Sequence, residues 1–330
     1  MASDLGDGWQ AWNGKNVLAA SDFTSPMVDA LYEGADRAKA WVTAHNGVDV
    51  LKHHVIANIF YEPSTRTSCS FAAATARLGG AVIPITPGSS SVKKGESLAD
   101  TAITAACYAN VLVQRHPSVG SAAQAAQAVQ AAGMHSPVIN AGDGTGEHPT
   151  QALLDLYTIR RDAGGAAGKV VVLMGDLRHG RTVHSLARVL CKHERPAEIR
   201  AVAPAGLELP SSVCDDVVAA GVKLTVHSAL TAELLADARV LYVTRVQKER
   251  FATPEAAAAA TGTYQLTQEL ANAMPADAVI MHPLPRVDEI HPEVDSNPRA
   301  KYFGAMRNGL FVRMALLAAV SGKHIPALPC

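Results

Sequence analysis

Lys169-Val170-Val171-Val172-Leu173-Met174-Gly175-Asp176 is the stretch that decides the fold. An unbroken apolar run rich in β-branched residues suits a strand buried on both faces, as strands are in parallel sheets, whereas a half-exposed strand would alternate with polar positions. Similar short runs lie on either side of it. Before it come Val55 to Tyr61, Ala81 to Ile85, Val111 to Gln114 and Pro137 to Asn140; after it come Ile199 to Ala203, Val222 to Val226, Val240 to Thr244 and Ala278 to Met281. Helical patterns fill the gaps. Phe71, Ala74, Thr75 and Leu78 follow the spacing of one buried face, and Leu98 to Ala109, Ser121 to Gln130, Thr150 to Arg160 and Thr182 to Leu190 read similarly. The repeated strand–helix alternation predicts α/β architecture: two doubly wound parallel-sheet domains. The boundary is expected near His148-Pro149, where a glycine-rich loop gives way to a helix. A last helix, from about Tyr302 to Val320, is expected to pack back on the first domain. The expected domains are therefore 1–148 with 303–330, and 149–302. The Ala/Gln stretch from Ala122 to Ala132 is compositionally simple, but alanine favours helix, so it stays in the fold. Ala256 to Ala260 reads as a short helical turn or a mobile loop.

Composition narrows the function classes. The 330 residues carry 29 Lys+Arg against 30 Asp+Glu, a net charge of −1. That balance gives no overall pull toward nucleic acid or an anionic membrane. Apolar runs such as Met314 to Val320 fall short of the roughly 18 residues that a spanning helix needs. Met1 to Asn13 shows no secretory pattern. The five cysteines, Cys69, Cys107, Cys191, Cys214 and Cys330, are widely spaced without a C-x-x-C pair. Reduced thiols in a cytoplasmic-type compartment are the expectation, with an organelle address left open.

Ligands of open α/β sheets bind just beyond the carboxyl ends of strands. After the first strand comes Tyr61-Glu62-Pro63-Ser64-Thr65-Arg66-Thr67-Ser68 at a helix start. There, unpaired N–H groups, a positive dipole end, hydroxyls and an arginine together make a phosphate cradle. The same pattern fits a capped helix with a surface arginine. The third strand ends at Arg115-His116-Pro117. The fourth runs through Asn140-Ala141-Gly142-Asp143-Gly144-Thr145-Gly146-Glu147 into His148-Pro149-Thr150-Gln151, placing His148 at a helix N-terminus. A lone histidine there is commonly only a cap; the dipole favours a neutral ring able to donate a hydrogen bond. Its G-x-G-x-G spacing is not the dinucleotide fingerprint. In the second half Arg178 and Arg181, then Arg245 and Arg250, then Arg286 follow strands. Arginine pairs bidentately with carboxylate and phosphate, so the repetition suggests small anionic substrates. The Pro87–Glu96 segment is a polar loop, either solvated or a lid carrying Lys94. Neither metal-ligand spacing nor a nucleophile elbow is present, so the chemistry expected is positioning and electrostatics without a cofactor.

Taken in order, Phe60 to Thr67, Lys94-Gly95-Glu96-Ser97-Leu98, Arg115-His116-Pro117, Gly142-Asp143-Gly144, His148 to Gln151, Gly175-Asp176-Leu177, Gly180 to His184, Thr244 to Arg250 and His282-Pro283-Leu284-Pro285-Arg286 resemble the aspartate carbamoyltransferases. The wording is similar to the type found in multifunctional pyrimidine-synthesis proteins. The resemblance implies carbamoyl transfer from carbamoyl phosphate to the α-amine of L-aspartate, an early step of pyrimidine synthesis. By this resemblance Ser64, Thr65, Arg66 and Thr67 hold the phosphate, and Thr67, Arg115 and His148 donate to the carbonyl oxygen. Gln151 and the backbone around Pro283 and Leu284 orient the carbamoyl NH2 and the incoming amine. Arg181, Arg245 and Gln247 bind the aspartate carboxylates. Ser90 and Lys94 enter from a neighbouring subunit of a homotrimer. No metal, nucleic acid or membrane partner is implied, and regulatory partners are left open.

Two other readings compete. Ornithine carbamoyltransferases share the S-T-R-T half but carry a cysteine where this chain has Pro283, and they bind a cationic side chain where Arg245-Val246-Gln247 suits an anion. A catalytically silent scaffold would bind phosphate ligands without turnover; none of the matched positions is substituted. Cys69, beside the phosphate loop, is either a packed helix thiol or redox-sensitive.

Overall fold

The computed structural model describes residues 5–245 and 264–329. The chain divides into two compact units, Met1–Leu153 with Met306–Cys330, and Leu154–Ala305. Each division falls inside a helix and not in the loop before it. The Leu153 carbonyl accepts from the Tyr32 hydroxyl at 2.8 Å, which keeps the first turn of the helix Pro149–Ala163 with the first unit. Tyr302 lies in the apolar core of the second unit, so the helix Tyr302–Val320 joins the first only from Met306.

In the first unit, β1 (Val55–Phe60), β2 (Ala81–Ile85), β3 (Val111–His116) and β4 (Val138–Asp143) form a sheet of order β2-β1-β3-β4, paired in parallel throughout. The helices Thr65–Arg77, Leu98–Ala106 and Ser121–Ala131 connect successive strands. The compositionally simple stretch is thus a helix, and its alanines have a packing reason. Ala102, Ala105, Ala122 and Ala125 bring two helices close onto Ile59, Leu112 and Val138. Beyond β4, Val17 closes the sheet edge: its N–H donates to Val138 and its carbonyl accepts from Asn140, both at 2.8 Å. Covering an edge in this way removes a template for unwanted strand pairing.

No chemical motif of the sequence lies in the helix Ser25–His45. Its buried stripe of Met27, Val28, Leu31, Ala35, Ala38 and Val42 has helical spacing, and a proline sits in its first turn. The helix Tyr302–Val320 is long and apolar enough by length and composition to cross a membrane, yet 67% of that window is buried inside the protein. One charged residue in it, Arg313, is 4% exposed. Its guanidinium donates to Ser70 Oγ at 2.9 Å and stacks on the Phe71 ring at 5.1 Å, which ties the helix to Thr65–Arg77. These are the features of a core helix.

The second unit holds β5 (Val170–Met174), β6 (Glu198–Val202), β7 (Lys223–His227), β8 (Ala238–Val243) and β9 (Val279–Met281), in the parallel order β7-β6-β5-β8-β9. The all-apolar run is the central strand, β5. Winding reverses between β5 and β8, as it does between β1 and β3 in the first unit, and crevices for ligands open at such reversals.

Arg313→Ala leaves a cavity and frees Ser70, so the first unit is expected to lose about 3 kcal/mol of stability. Trp9, Trp12 and Trp41 all lie in that unit, so urea unfolding followed by tryptophan fluorescence reports on it. An unmoved midpoint would show that the helix is held by its apolar contacts alone.

Candidate active site

Three adjacent strands of the first unit deliver polar groups to one sheet edge. β1 leads to Ser64, the N-cap of Thr65–Arg77, whose hydroxyl makes no capping bond. The first N–H groups of that helix therefore keep their capacity for an anion, aided by the helix dipole. Asn58 of β1 steadies the first turn, its Nδ2 donating to the Ser68 carbonyl at 3.4 Å. Thr67 is buried, while Thr65 and Arg66 are exposed. No carboxylate pairs with Arg66 among the described residues. Desolvation lowers its pKa, though a guanidinium stays charged at neutral pH.

Arg115, in register with Phe60, is the penultimate residue of β3. Its Nη1 donates to the Ala141 carbonyl at 3.4 Å, and its Nε lies 3.2 Å from Glu62. Next to it, the His116 ring packs on Tyr61 at 4.7 Å. Burial lowers the His116 pKa, against an upward pull from Glu62. After β4 the chain turns sharply. Gly144 has φ +55°, and a Cβ there would stand 2.3 Å from the Pro117 carbonyl oxygen. Asp143 fixes the turn by accepting from the Glu147 N–H at 2.7 Å and the Gly120 N–H at 2.8 Å. The turn delivers His148 and Gln151, 4% and 5% exposed, to the start of Pro149–Ala163.

The second unit repeats the arrangement. Gly175, at φ +119°, ends β5 so close to β8 that an added Cβ would stand 2.1 Å from the Thr244 carbonyl oxygen. Thr244 in turn donates from N and Oγ1 to the Met174 carbonyl, at 2.7 and 3.1 Å. This approach fixes the exits of β5 and β8 against each other. Arg181 opens the helix after β5, Arg245 follows β8, and Pro283 and Leu284 follow β9. Under them, the Tyr242 hydroxyl donates to the fully buried Asp155 at 2.8 Å. Burial and then the Asp155 charge push the Tyr242 pKa well up, keeping the phenol protonated, and Thr182, beside Arg181, joins the same network.

Not every expected residue reaches these edges. Ser90 and Lys94 lie beyond the edge strand β2, in and beside a 3-10 turn over Ser91–Lys94, with the Lys94 side chain exposed. The Pro87–Glu96 segment is thus built of short turns. Gln247, Arg250 and Ala256 to Ala260 lie outside the described residues. Arg286 is no anion-binder in waiting: Asp295 and the Tyr302 hydroxyl hold it, and it packs over the Tyr302 and Phe303 rings. Glu62, Asp155 and Tyr242 were not singled out in the sequence; only the neighbourhood of Glu62 to the S-T-R-T run pointed at one of them. Among the described residues no group of His, Cys, Asp and Glu could hold a metal ion. Chemically, one edge brings together a helix start, two arginines and a buried histidine, an array of donors suited to an anion, and the other carries Arg181 and Arg245.

Residues 15–161 match the family described as aspartate/ornithine carbamoyltransferase, carbamoyl-P binding domain, and residues 167–320 match its Asp/Orn binding domain. The chain is 45% identical over 312 residues to multifunctional protein pyr1-3 of Dictyostelium discoideum and 46% identical over 312 residues to multifunctional protein CAD of Squalus acanthias. These matches cover 94% of the chain but only 14% of either relative. Among solved structures it is similar to aspartate transcarbamoylase from Trypanosoma cruzi in complex with N-(phosphonacetyl)-L-aspartic acid. The TM-score is 0.88 and the identity 38%, over 94% of this chain and 97% of that one. The same enzyme in complex with carbamoyl phosphate and aspartate matches with TM-score 0.87 and 38% identity, over 94% and 98%.

Gly175→Ala tests the joint between β5 and β8. Both the positive φ and the carbonyl contact oppose a side chain, so a loss of at least about 2 kcal/mol is expected. A clear fall in Tm followed by circular dichroism checks it; an unchanged Tm would mean that Thr244 moves aside freely.

Proposed function

The chain belongs to the aspartate/ornithine carbamoyltransferase family, and from that premise we propose that it transfers the carbamoyl group of carbamoyl phosphate to the α-amine of L-aspartate, giving N-carbamoyl-L-aspartate and phosphate. The observation that carries this reading is the cluster at the carboxyl edge of β1, β3 and β4: an uncapped helix start bearing unpaired Arg66, with Arg115 and His148 on the neighbouring exits.

The reaction follows from that arrangement. Ser64, Thr65, Arg66 and Thr67 hold the phosphate on the helix start. Thr67, Arg115 and His148 donate to the carbonyl oxygen as the amine attacks the carbonyl carbon and negative charge grows there. Gln151 and the backbone of Pro283 and Leu284 orient the NH2 group. Arg181, Arg245 and Gln247 take the two carboxylates of aspartate, Arg245 by the bidentate geometry that guanidinium favours. When the carbon–oxygen bond to phosphate breaks, Arg66 neutralises the leaving oxygen and the phosphate accepts the amine proton. The catalysis is electrostatic and positional, without a covalent enzyme intermediate. Ser90 and Lys94 serve the site of a neighbouring copy in a homotrimer, which fits a lysine exposed beyond the sheet edge. The described cysteines Cys69, Cys107, Cys191 and Cys214 are free, which supports placing the chain in a reducing compartment.

Product assays with carbamoyl phosphate and either L-aspartate or L-ornithine test the assignment, with ureido product expected from aspartate alone. Product from ornithine alone would overturn the amino-acid assignment, and binding of carbamoyl phosphate without turnover would favour a silent scaffold. Arg66→Ala is expected to lower kcat by roughly 10³-fold; near-normal turnover would remove it from the phosphate site. Lys94→Ala and Arg66→Ala chains, inactive alone, should regain activity when mixed, because hybrid trimers contain sites with neither change. Mixed trimers without activity would contradict a shared site.

A further inference from the structure

The segment after β9 is held by two side chains to which the proposed mechanism gives no part. His282 and Glu289 are 1% and 2% exposed. The Leu284 N–H donates to His282 Nδ1 at 2.7 Å, so Nδ1 carries no proton and the ring hydrogen sits on Nε2. Nε2 in turn donates to Glu289 Oε1 at 2.7 Å. The second oxygen, Oε2, accepts from the N–H groups of Val287 and Asp288, both at 3.1 Å. One carboxylate therefore closes the loop at both ends, through the ring on one side and two peptides on the other. Burial raises the pKa of Glu289, but the His282 bond and backbone bonds outweigh that and keep it low, as a carboxylate accepting several donors requires. The Glu289 carbonyl also accepts from the Leu266 N–H at 2.9 Å, which anchors the carboxylate to the rest of the unit.

Inside this closed loop sits Leu284 at φ +56°. A branched side chain in the left-handed region is unfavourable and persists only where the surroundings over-determine it. The hydrogen bond from its own N–H to His282 is one such determinant.

We infer that His282 and Glu289 are a positioning pair, which fixes the backbone of Pro283 and Leu284 in the conformation that orients the carbamoyl group. The inference rests on the proposed reaction for what that backbone touches, and on geometry alone for the clamp. The pair touches no substrate; it acts through two peptide units.

The amide of Glu289→Gln offers one acceptor oxygen where the carboxylate offered two, so either the ring or the Val287–Asp288 peptides lose their partner. His282→Gln reaches toward Glu289 but leaves the Leu284 N–H without an acceptor. His282→Asn keeps an acceptor at the place of Nδ1. With carbamoyl phosphate and L-aspartate, Glu289→Gln and His282→Gln are expected to lose roughly 10²-fold in kcat, the scale of an ångström's misplacement. Their affinity for inorganic phosphate by calorimetry stays at the wild-type value, and His282→Asn recovers much of the loss. Equal losses in the two His282 variants, full kcat in folded Glu289→Gln, or a parallel fall in phosphate affinity would each overturn the assignment. Histidine-labelled wild-type protein gives a test that needs no variant: 15N NMR should show the His282 ring as the Nε2–H tautomer at neutral pH. An Nδ1–H ring or an imidazolium would end the proposal, even if Glu289→Gln fails to fold. Wild-type protein that turns over neither amino acid would overturn the reaction assignment, while the tautomer would still decide whether the clamp exists.

Discussion

Everything at the candidate site depends on a property of parallel strands: each leaves its sheet at the same edge. Right-handed crossovers return the chain beneath the sheet and restart it in the same direction, so residues far apart in sequence emerge side by side. Ser64, Arg115 and His148 are neighbours because β1, β3 and β4 are adjacent. Arg181, Arg245 and Leu284 follow β5, β8 and β9 for the same reason. The two glycine contacts, at Gly144 and Gly175, tighten what the topology brings near, because only a residue without Cβ lets one exit pass so close to another's carbonyl.

The charge pattern separates structural arginines from Arg66. Arg160 is paired with Glu194 at 2.6 Å, and Glu194 also accepts from the Ala166 N–H at 2.9 Å. Arg200 is shared between Glu198 and Asp237: the Asp237 bond chiefly raises its pKa and Arg200 lowers that of Asp237, while Lys223, Thr225 and Arg200 together outweigh burial and lower that of Glu198. Arg286 is neutralised by Asp295. In each case the carboxylate compensates the cost of shielding a guanidinium from water. Arg66 has no such counter-charge among the described residues, and an unneutralised guanidinium beside open helix N–H groups is the setting in which a proposed anion would be held.

Much of this was legible in the sequence, for physical reasons. The unbroken apolar runs mark strands because burial on both faces leaves no place for a polar residue, and β5 is the clearest example. Strand and helix ends were less legible: β3 extends through Arg115 and His116, polar residues whose pairing is set by neighbours. Ser25–His45 holds none of the motifs, so its only signal in the sequence is its apolar periodicity. Arg286 was read by residue type and position, but its fate was decided by Asp295 and Tyr302, partners that only the fold brings to it. Glu289 was the least visible of all. In Val287-Asp288-Glu289 a carboxylate looks like surface, and nothing local says that its side chain turns inward to a histidine.

The division of the first unit between stretches on either side of the second bears on how the protein is made. Leu154–Ala305 is continuous and can close its core as soon as it has been synthesised. The first unit cannot: Arg313 and the residues from Met306 onward follow the whole of Leu154–Ala305, so Ser70 and Phe71 stay without their partners until the second unit has emerged. Vectorial synthesis therefore completes the second unit before the first, with the apolar face that awaits the last helix exposed in the interval.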